Sequence, residues 1–373
     1  MRNFFGDVFR IALSGESHSP LMSVEIHGVP KGLPLCPEDF AADIARRRPG
    51  RKGTTARVET DVPEIVRGVM DGVTTGTTLK IVFRNQNIDP SAYRQFVDMP
   101  RPGHADWVRR IKYGADSLTS GGGMFSGRMT LPLVAAGVVA RKIIAPLRVE
   151  AFLTEVGGKR LMYGMAQPSM DTGSTCANSS GQSTPVGTGM STVDWSEREV
   201  LTSESELDSF LEHIASEGDS VGGIVECTCA GVPAGLGEPF FYPMEAALSQ
   251  MIFSIPGIRG IEFGDGFGAS RMRGSQHNDP IIDTAGHTSR NGAGGINGGI
   301  TNGNPLVFRV AVKPTSSIAR PQQTVNLSTG RMEELSIKGR HDVCFALRVP
   351  PVIESAAAIV LCDFILSTRR IGS

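Results

Sequence analysis

A mixed α and β fold, with helices packed between sheets, is what this 373-residue sequence predicts, and three observations carry it. Three segments are apolar on nearly every side: LPLVAAGVVARKIIAPL at 131–147, PMEAALSQMIFSI at 243–255 and PPVIESAAAIVLCDFIL at 350–366. A helix of that kind needs partners all round. Runs with strand character, MSVEIHGV at 22–29, GGIVECTCAGV at 222–232 and PLVFRVAVKP at 305–314, lie before and between them. Their order lacks the regular βαβ alternation of a doubly wound sheet.

Taken in order, the alternating run at 22–29 is followed by a turn at Lys31 and Gly32. PEDFAADIARRR then reads as a helix. Pro37 and acidic residues suit its start, and Arg46, Arg47 and Arg48 suit the negative end of its dipole. Pro49 and Gly50 break it, so the arginines sit at a loop, where contact with a phosphate is preferred to a purely structural role. Gly137 gives the 131–147 helix a point of close packing. Residues 160–200 are rich in Ser, Thr, Gly and Met with little periodicity, and read as a loop-rich insertion in one domain covering 1–373.

Composition narrows the partners. A net charge of −1 excludes the basic bias of a general nucleic-acid binder, which leaves small molecules. No run approaches the roughly 20 apolar residues of a membrane span, and MRNFFGDVFRIAL has no secretory-signal pattern. The expectation is a cytoplasmic protein without a membrane partner. The 6 cysteines lack zinc spacing and read as reduced and mostly buried, so no metal is expected. GDGFGAS at 264–270 is a lone glycine pattern, and its dinucleotide reading is disfavoured because that motif requires much more structural context.

Chemistry concentrates in three clusters. RPGHADWVRRIKYG at 101–114 leads into SGGGMFSGR, placing an imidazole, a carboxylate and several cations beside a loop that can approach a ligand closely. FRIALSGESHSP near the N-terminus and KPTSSI with KGRHDVC near the C-terminus repeat the style. Together they suit an anionic ligand. His27, His213, His277 and His287 are read as structural.

GESHSP, RRRPG, RPGHAD, IKYG, GDSVGG, GLGEP, GGINGGITNG, KPTSSI and GRHD occur in this order, and with them the chain resembles the chorismate synthase family. The resemblance covers about residue 5 to 368 except 160–200, and the ordered set is highly specific. It implies an α+β fold with helices sandwiched between two antiparallel sheets, and a homotetramer. It also implies a 1,4-anti elimination of phosphate from 5-enolpyruvylshikimate 3-phosphate to give chorismate, requiring reduced FMN without net oxidation. NADPH is the candidate reductant of the flavin, and an external flavin reductase a candidate partner, since no separate reductase domain fits in the chain. Two rival readings are a drifted flavin-dependent lyase of the same fold and a flavin-binding protein without turnover.

Residue by residue, the resemblance implies that His18 and His104 are catalytic and that Asp342 meets the proton of the flavin's central-ring nitrogen. An imidazole suits proton donation because its ordinary pKa is about 6.5. Asp342 could instead only pair with Arg340, and His341 is secondary. Arg48, Arg128 and Arg340 are assigned to substrate anions, since guanidinium binds phosphate and carboxylate through paired donors. For FMN the pattern carries to Arg47, Met124, Phe125, Ser126, Gly257, Ile258, Gly298, Arg340 and the run Lys313, Pro314, Thr315, Ser316 and Ser317. Ser17 and Ser126 are candidates for relaying protons. The chain departs from the commonest family run, Gly-Gly-Gly-Arg-Ser-Ser-Ala-Arg-Glu-Thr, at Met124, Phe125, Gly127 and Met129, which favours backbone over side-chain contact with flavin there. Gly53 replaces a frequent arginine, which weakens a nicotinamide-phosphate site, and Val343 replaces the usual proline.

Overall fold

The computed structural model describes residues 3–55, 60–85, 91–115, 117, 122–162, 199–337 and 341–371. In chain order these form β1 (Phe4–Phe5), β2 (Ile11–Gly15), β3 (Leu21–Ile26), α1 (Ala41–Arg47), β4 (Glu64–Arg67), β5 (Val69–Met70), β6 (Val73–Thr74) and β7 (Leu79–Arg84). After α2 (Asp106–Tyr113) and α3 (Thr130–Ile144) come β8 (Arg148–Val156), β9 (Lys159–Leu161), β10 (Val200–Leu201), α4 (Glu204–Ser216), β11 (Gly223–Ala230), α5 (Met244–Phe253) and β12 (Ile258–Phe263). The chain closes with α6 (Gly274–His277), β13 (Ile296–Asn297), β14 (Ile300–Thr301), β15 (Leu306–Val312), β16 (Gln322–Asn326), β17 (Arg331–Leu335) and α7 (Pro350–Ile371).

The fold is α+β. One sheet has the order β1-β2-β3-β7-β4 and is antiparallel throughout. The second, β10-β9-β8-β11-β15-β12, is antiparallel except for the parallel pair β10 and β9 at its edge. The expected arrangement of helices between two antiparallel sheets holds, with that one parallel pair at the edge. A hairpin would force antiparallel pairing, but the chain between residues 162 and 199 is long enough for a parallel return. The insertion read at 160–200 mostly lies outside the described residues.

Helices fill the space between the sheets. α3 packs on β3 and β7 of the first sheet, α7 packs on β8 and β11 of the second, and the two helices pack on each other. Gly137 makes that contact: a Cβ there would stand 2.2 Å from Ser355 Cβ. Met22, Val24, Ile26, Ile81 and Phe83 close the core on one side, and Val225, Cys227, Cys229, Phe308 and Val310 on the other. In β11 the buried residues alternate, as half-covered strands require. Cys344 and Cys362 are also buried and unoxidised, whereas Cys36 is exposed. Cys176 lies outside the described residues.

α7 bears on the expectation of no membrane span. Pro350–Thr368 is long and apolar enough to cross a membrane, with mean hydropathy 1.6, yet 67% of that stretch is buried within the chain. Its polar residues are anchors: Glu354 receives Arg46 through paired bonds of 2.6 and 2.7 Å, and Asp363 accepts the backbone N–H groups of Asp7, Val8 and Phe9.

α1 starts beyond a 3-10 turn at Pro37–Phe40, where Asp39 caps the N–H of Cys36 at 2.9 Å. It stops at Arg47. Arg48 is already extended, at φ −60 and ψ 146, because Pro49 disfavours helical backbone in the residue before it. On the two sides of that break, Arg47 and Arg48 both reach Asp61 Oδ2, at 3.7 and 4.0 Å.

Candidate active site

A cavity of about 700 Å3 opens where several connecting segments meet, within the roughly 300–1,000 Å3 usual for small-molecule sites. Its wall combines the end of α1, the 101–105 turn, the 122–128 turns, the α5–β12 connection, the 313–317 loop after β15 and residues 341–348. Among the described residues five cationic side chains line it, Arg47, Arg101, Arg128, Lys313 and Arg348, against the carboxylates of Asp61 and Asp342. A low-dielectric wall with surplus positive charge favours an anionic ligand.

The 101–105 turn forms because Gly103 takes φ +67, letting His104 N donate to Arg101 O at 3.2 Å. More than 200 positions later in the chain, the 313–317 loop docks on this turn. Lys313 Nζ donates to Gly103 O at 2.5 Å and Ser316 Oγ to the same oxygen at 2.9 Å, while Arg101 Nη1 donates to Ser317 Oγ at 3.1 Å. Opposite, Gly257 has φ +92, and a Cβ there would meet the Phe345 ring at 2.3 Å, so only glycine lets that ring close the wall.

The arginines are held before any ligand arrives. Arg47 donates to Thr130 Oγ1 at 2.9 Å and to Gly127 O at 3.0 Å. Burial, with Arg348 adding, pushes its pKa down to about 9, so it remains a cation at neutral pH. Arg128 donates twice to Asn85 Oδ1, at 3.1 and 3.0 Å, and stands 2.8 Å from Asp61. Asp61 also faces Arg47 at 3.7 Å, and its side chain is 1% exposed. Asp342 accepts Thr55 N at 2.8 Å and Arg348 Nη2 at 2.6 Å. Burial lowers the pKa of Lys313, with Arg259 adding, and burial with Arg101 lowers that of His341.

Many of the residues singled out from sequence therefore meet at one cavity: His104, Asp342, Arg47, Arg128, Met124, Phe125, Ser126, Gly257, Ile258 and Lys313 to Ser317. Met124 and Phe125 are 37% and 38% exposed. Ser126 Oγ caps the next turn, accepting Arg128 N at 3.2 Å. Ser17 and His18 do not line the cavity, but their turn adjoins it: Ser17 N donates to Gly123 O, and Asn85 Nδ2 donates to Ser19 O at 2.7 Å. Arg48 lines a smaller neighbouring cavity, with Arg348 shared between the two. Gly298 sits in the turn between β13 and β14, and Arg340 lies outside the described residues. The described ion pair of Asp342 is with Arg348, six positions beyond it.

Sequence reasoning missed Asp61, Asn85, Arg101, Asp106 and Arg348. Arg101 and Asp106 stood inside a motif already chosen, flanking its histidine. Nothing local marks Asp61 or Asn85. The four histidines read as structural have local partners: Thr78 for His27, Glu217 for His213, Asp265 for His277 and Asp283 for His287. Among the described residues no group of three or more His, Cys, Asp or Glu could hold a metal.

The family model for chorismate synthase matches residues 9–366. A chorismate synthase of Chitinophaga pinensis is 47% identical over 369 residues, 99% of this chain and 98% of that protein. One from Korarchaeum cryptofilum is 42% identical over 375 residues, covering 99% and 98%. A solved structure titled as chorismate synthase is 25% identical with a TM-score of 0.68, covering 98% of this chain and 93% of its own. The chain belongs to the chorismate synthase family and is thereby an enzyme, a lyase acting on phosphate.

Proposed function

We propose that the chain catalyses the FMN-dependent 1,4-anti elimination of phosphate from 5-enolpyruvylshikimate 3-phosphate to form chorismate. The observation that carries this is the gathering, among the described residues, of five cationic side chains and two carboxylates round one cavity. A substrate with a phosphate and two carboxylates, beside a cofactor with its own phosphate, needs that excess of cations.

The wall suits the cofactor. Lys313, Thr315, Ser316 and Ser317 supply one charge and three hydroxyls for a phosphate tail. Thr315 Oγ1 and His341 Nε2 are buried with no hydrogen-bond partner among the described residues, which a polar ligand would satisfy. When bound, reduced FMN supplies transient electron density to an allylic leaving group. Arg128, Arg47 and Arg348 hold anions in place through fixed guanidinium donors. His104 handles a proton at its ring, and Asp342 accepts one at its carboxylate. His18, next to the Arg128 network, assists the departing phosphate.

The same reading makes residues 1–373 a single catalytic domain, supported by one continuous core spanning both sheets. It also makes the protein a cytoplasmic homotetramer, in which the exposed side chains of Phe240, Phe241 and Tyr242, at 83%, 91% and 61%, are a surface for subunit contact. NADPH or an external reductase would supply the reduced flavin. With reduced FMN and substrate in the absence of oxygen, the pure protein is expected to form chorismate, detected by its absorbance, and to form none with oxidised FMN. Absence of product at saturating reduced FMN would contradict the reading.

A further inference from the structure

His104 rests on an ion pair made by its own motif. Arg101 N and Nε both donate to Asp106 Oδ2, at 3.1 and 2.7 Å, and Nη2 donates to Oδ1 at 2.8 Å. The two side chains are 5% and 2% exposed. His104 Nδ1 lies 2.7 Å from that same Oδ1 and 3.0 Å from Arg101 Nη2. These contacts cannot both be hydrogen bonds, because guanidinium only donates and an ionised carboxylate only accepts. A bare Nδ1 would set its lone pair against the carboxylate oxygen at the shorter distance, so the proton belongs on Nδ1.

We propose that Arg101 and Asp106 are positioning residues whose ion pair fixes His104 as the Nδ1–H tautomer, leaving Nε2 as the ring nitrogen that exchanges a proton in the cavity. The proposal rests on the reading of His104 as a proton-handling group. The acceptor is permanent: burial raises the pKa of Asp106, but the hydrogen bonds from Arg101 and His104 outweigh it and hold the carboxyl far below its usual range. Burial is the largest effect on His104 and lowers its pKa, with Arg101 and Lys313 adding and Asp106 opposing. The charged groups facing the ring are thus Arg101 and Asp106 from its own turn and Lys313 from the docked loop. That shift favours the neutral imidazole, in which Nε2 is an acceptor. The same geometry gives the ring a fixed orientation, as a carboxylate does for the histidine of a hydrolase triad.

The test is nitrogen NMR of the full chain labelled with 15N-histidine, with the His104 ring assigned by its loss in His104→Ala. The wild-type ring is expected to show a protonated Nδ1 and a bare Nε2 at neutral pH. In Asp106→Asn the amide oxygen takes the Oδ2 position, where two N–H groups of Arg101 point, so the NH2 turns to Nδ1 and the tautomer reverses. Turnover should then fall by roughly a hundredfold or more with KM largely unchanged. In the His104→Ala background the same change should cost less than about twofold, because Asp106 acts through the ring. A bare Nδ1 in the wild type, or an equal loss in both backgrounds, would overturn the proposal. Should Asp106→Asn fail to fold, the wild-type spectrum still decides the tautomer. Full activity of His104→Ala would instead defeat the reading of His104 itself, while the ring spectrum continues to test the ion pair.

Discussion

His104→Ala is expected to lower turnover by roughly a hundredfold or more while leaving the fold and most of the substrate affinity intact. The ring lines the cavity but carries little of the core, since its side chain is 23% exposed and its polar contacts are with Arg101 and Asp106. Those two remain joined to each other by three hydrogen bonds when the imidazole is removed. The loss should therefore appear in kcat rather than in the melting temperature. Steady-state kinetics beside a thermal melt separates the two, and a loss of less than about twofold in kcat would remove His104 from the chemistry.

Asp61→Asn should have the largest effect on stability, about 3–5 kcal/mol, the usual consequence of leaving buried cations without their counter-charge. Arg128 is 2.8 Å from one carboxylate oxygen and Arg47 is 3.7 Å from the other, with both arginine side chains under 10% exposed. Asparagine keeps the shape and tolerates the φ of +47 at this position, so the change isolates the charge. Urea unfolding with an unchanged slope and a clearly lower midpoint is the expected result. A shift worth under about 1 kcal/mol would mean that solvent already screens this cluster.

The two predictions differ in how far their residues could be read from sequence. His104 stood in a Pro-Gly turn among cations, and the structure puts it in the cavity. Asp61 had no local mark, because its role arises when residues 47, 61 and 128 are brought together. The same holds for Arg348, the described partner of Asp342. Apolar helices were readable because surplus hydrophobicity on every face must be kept from water, which α3 and α7 achieve by packing inside the chain. Their anchors were not, since Glu354 and Asp363 act on residues some 200 to 350 positions away. The KPTSS run was readable as a phosphate candidate, but its docking on Gly103 depends on the path of the whole chain.

One measurement bears most directly on the claim that this cavity runs an elimination with a flavin that is not consumed. The protein is mixed without oxygen with chemically reduced FMN and a large excess of 5-enolpyruvylshikimate 3-phosphate, and phosphate release is followed together with the flavin absorbance. Phosphate far in excess of flavin, with the flavin still reduced at the end, is the expected result. One phosphate released for each flavin oxidised, or equal activity with oxidised FMN, would contradict it.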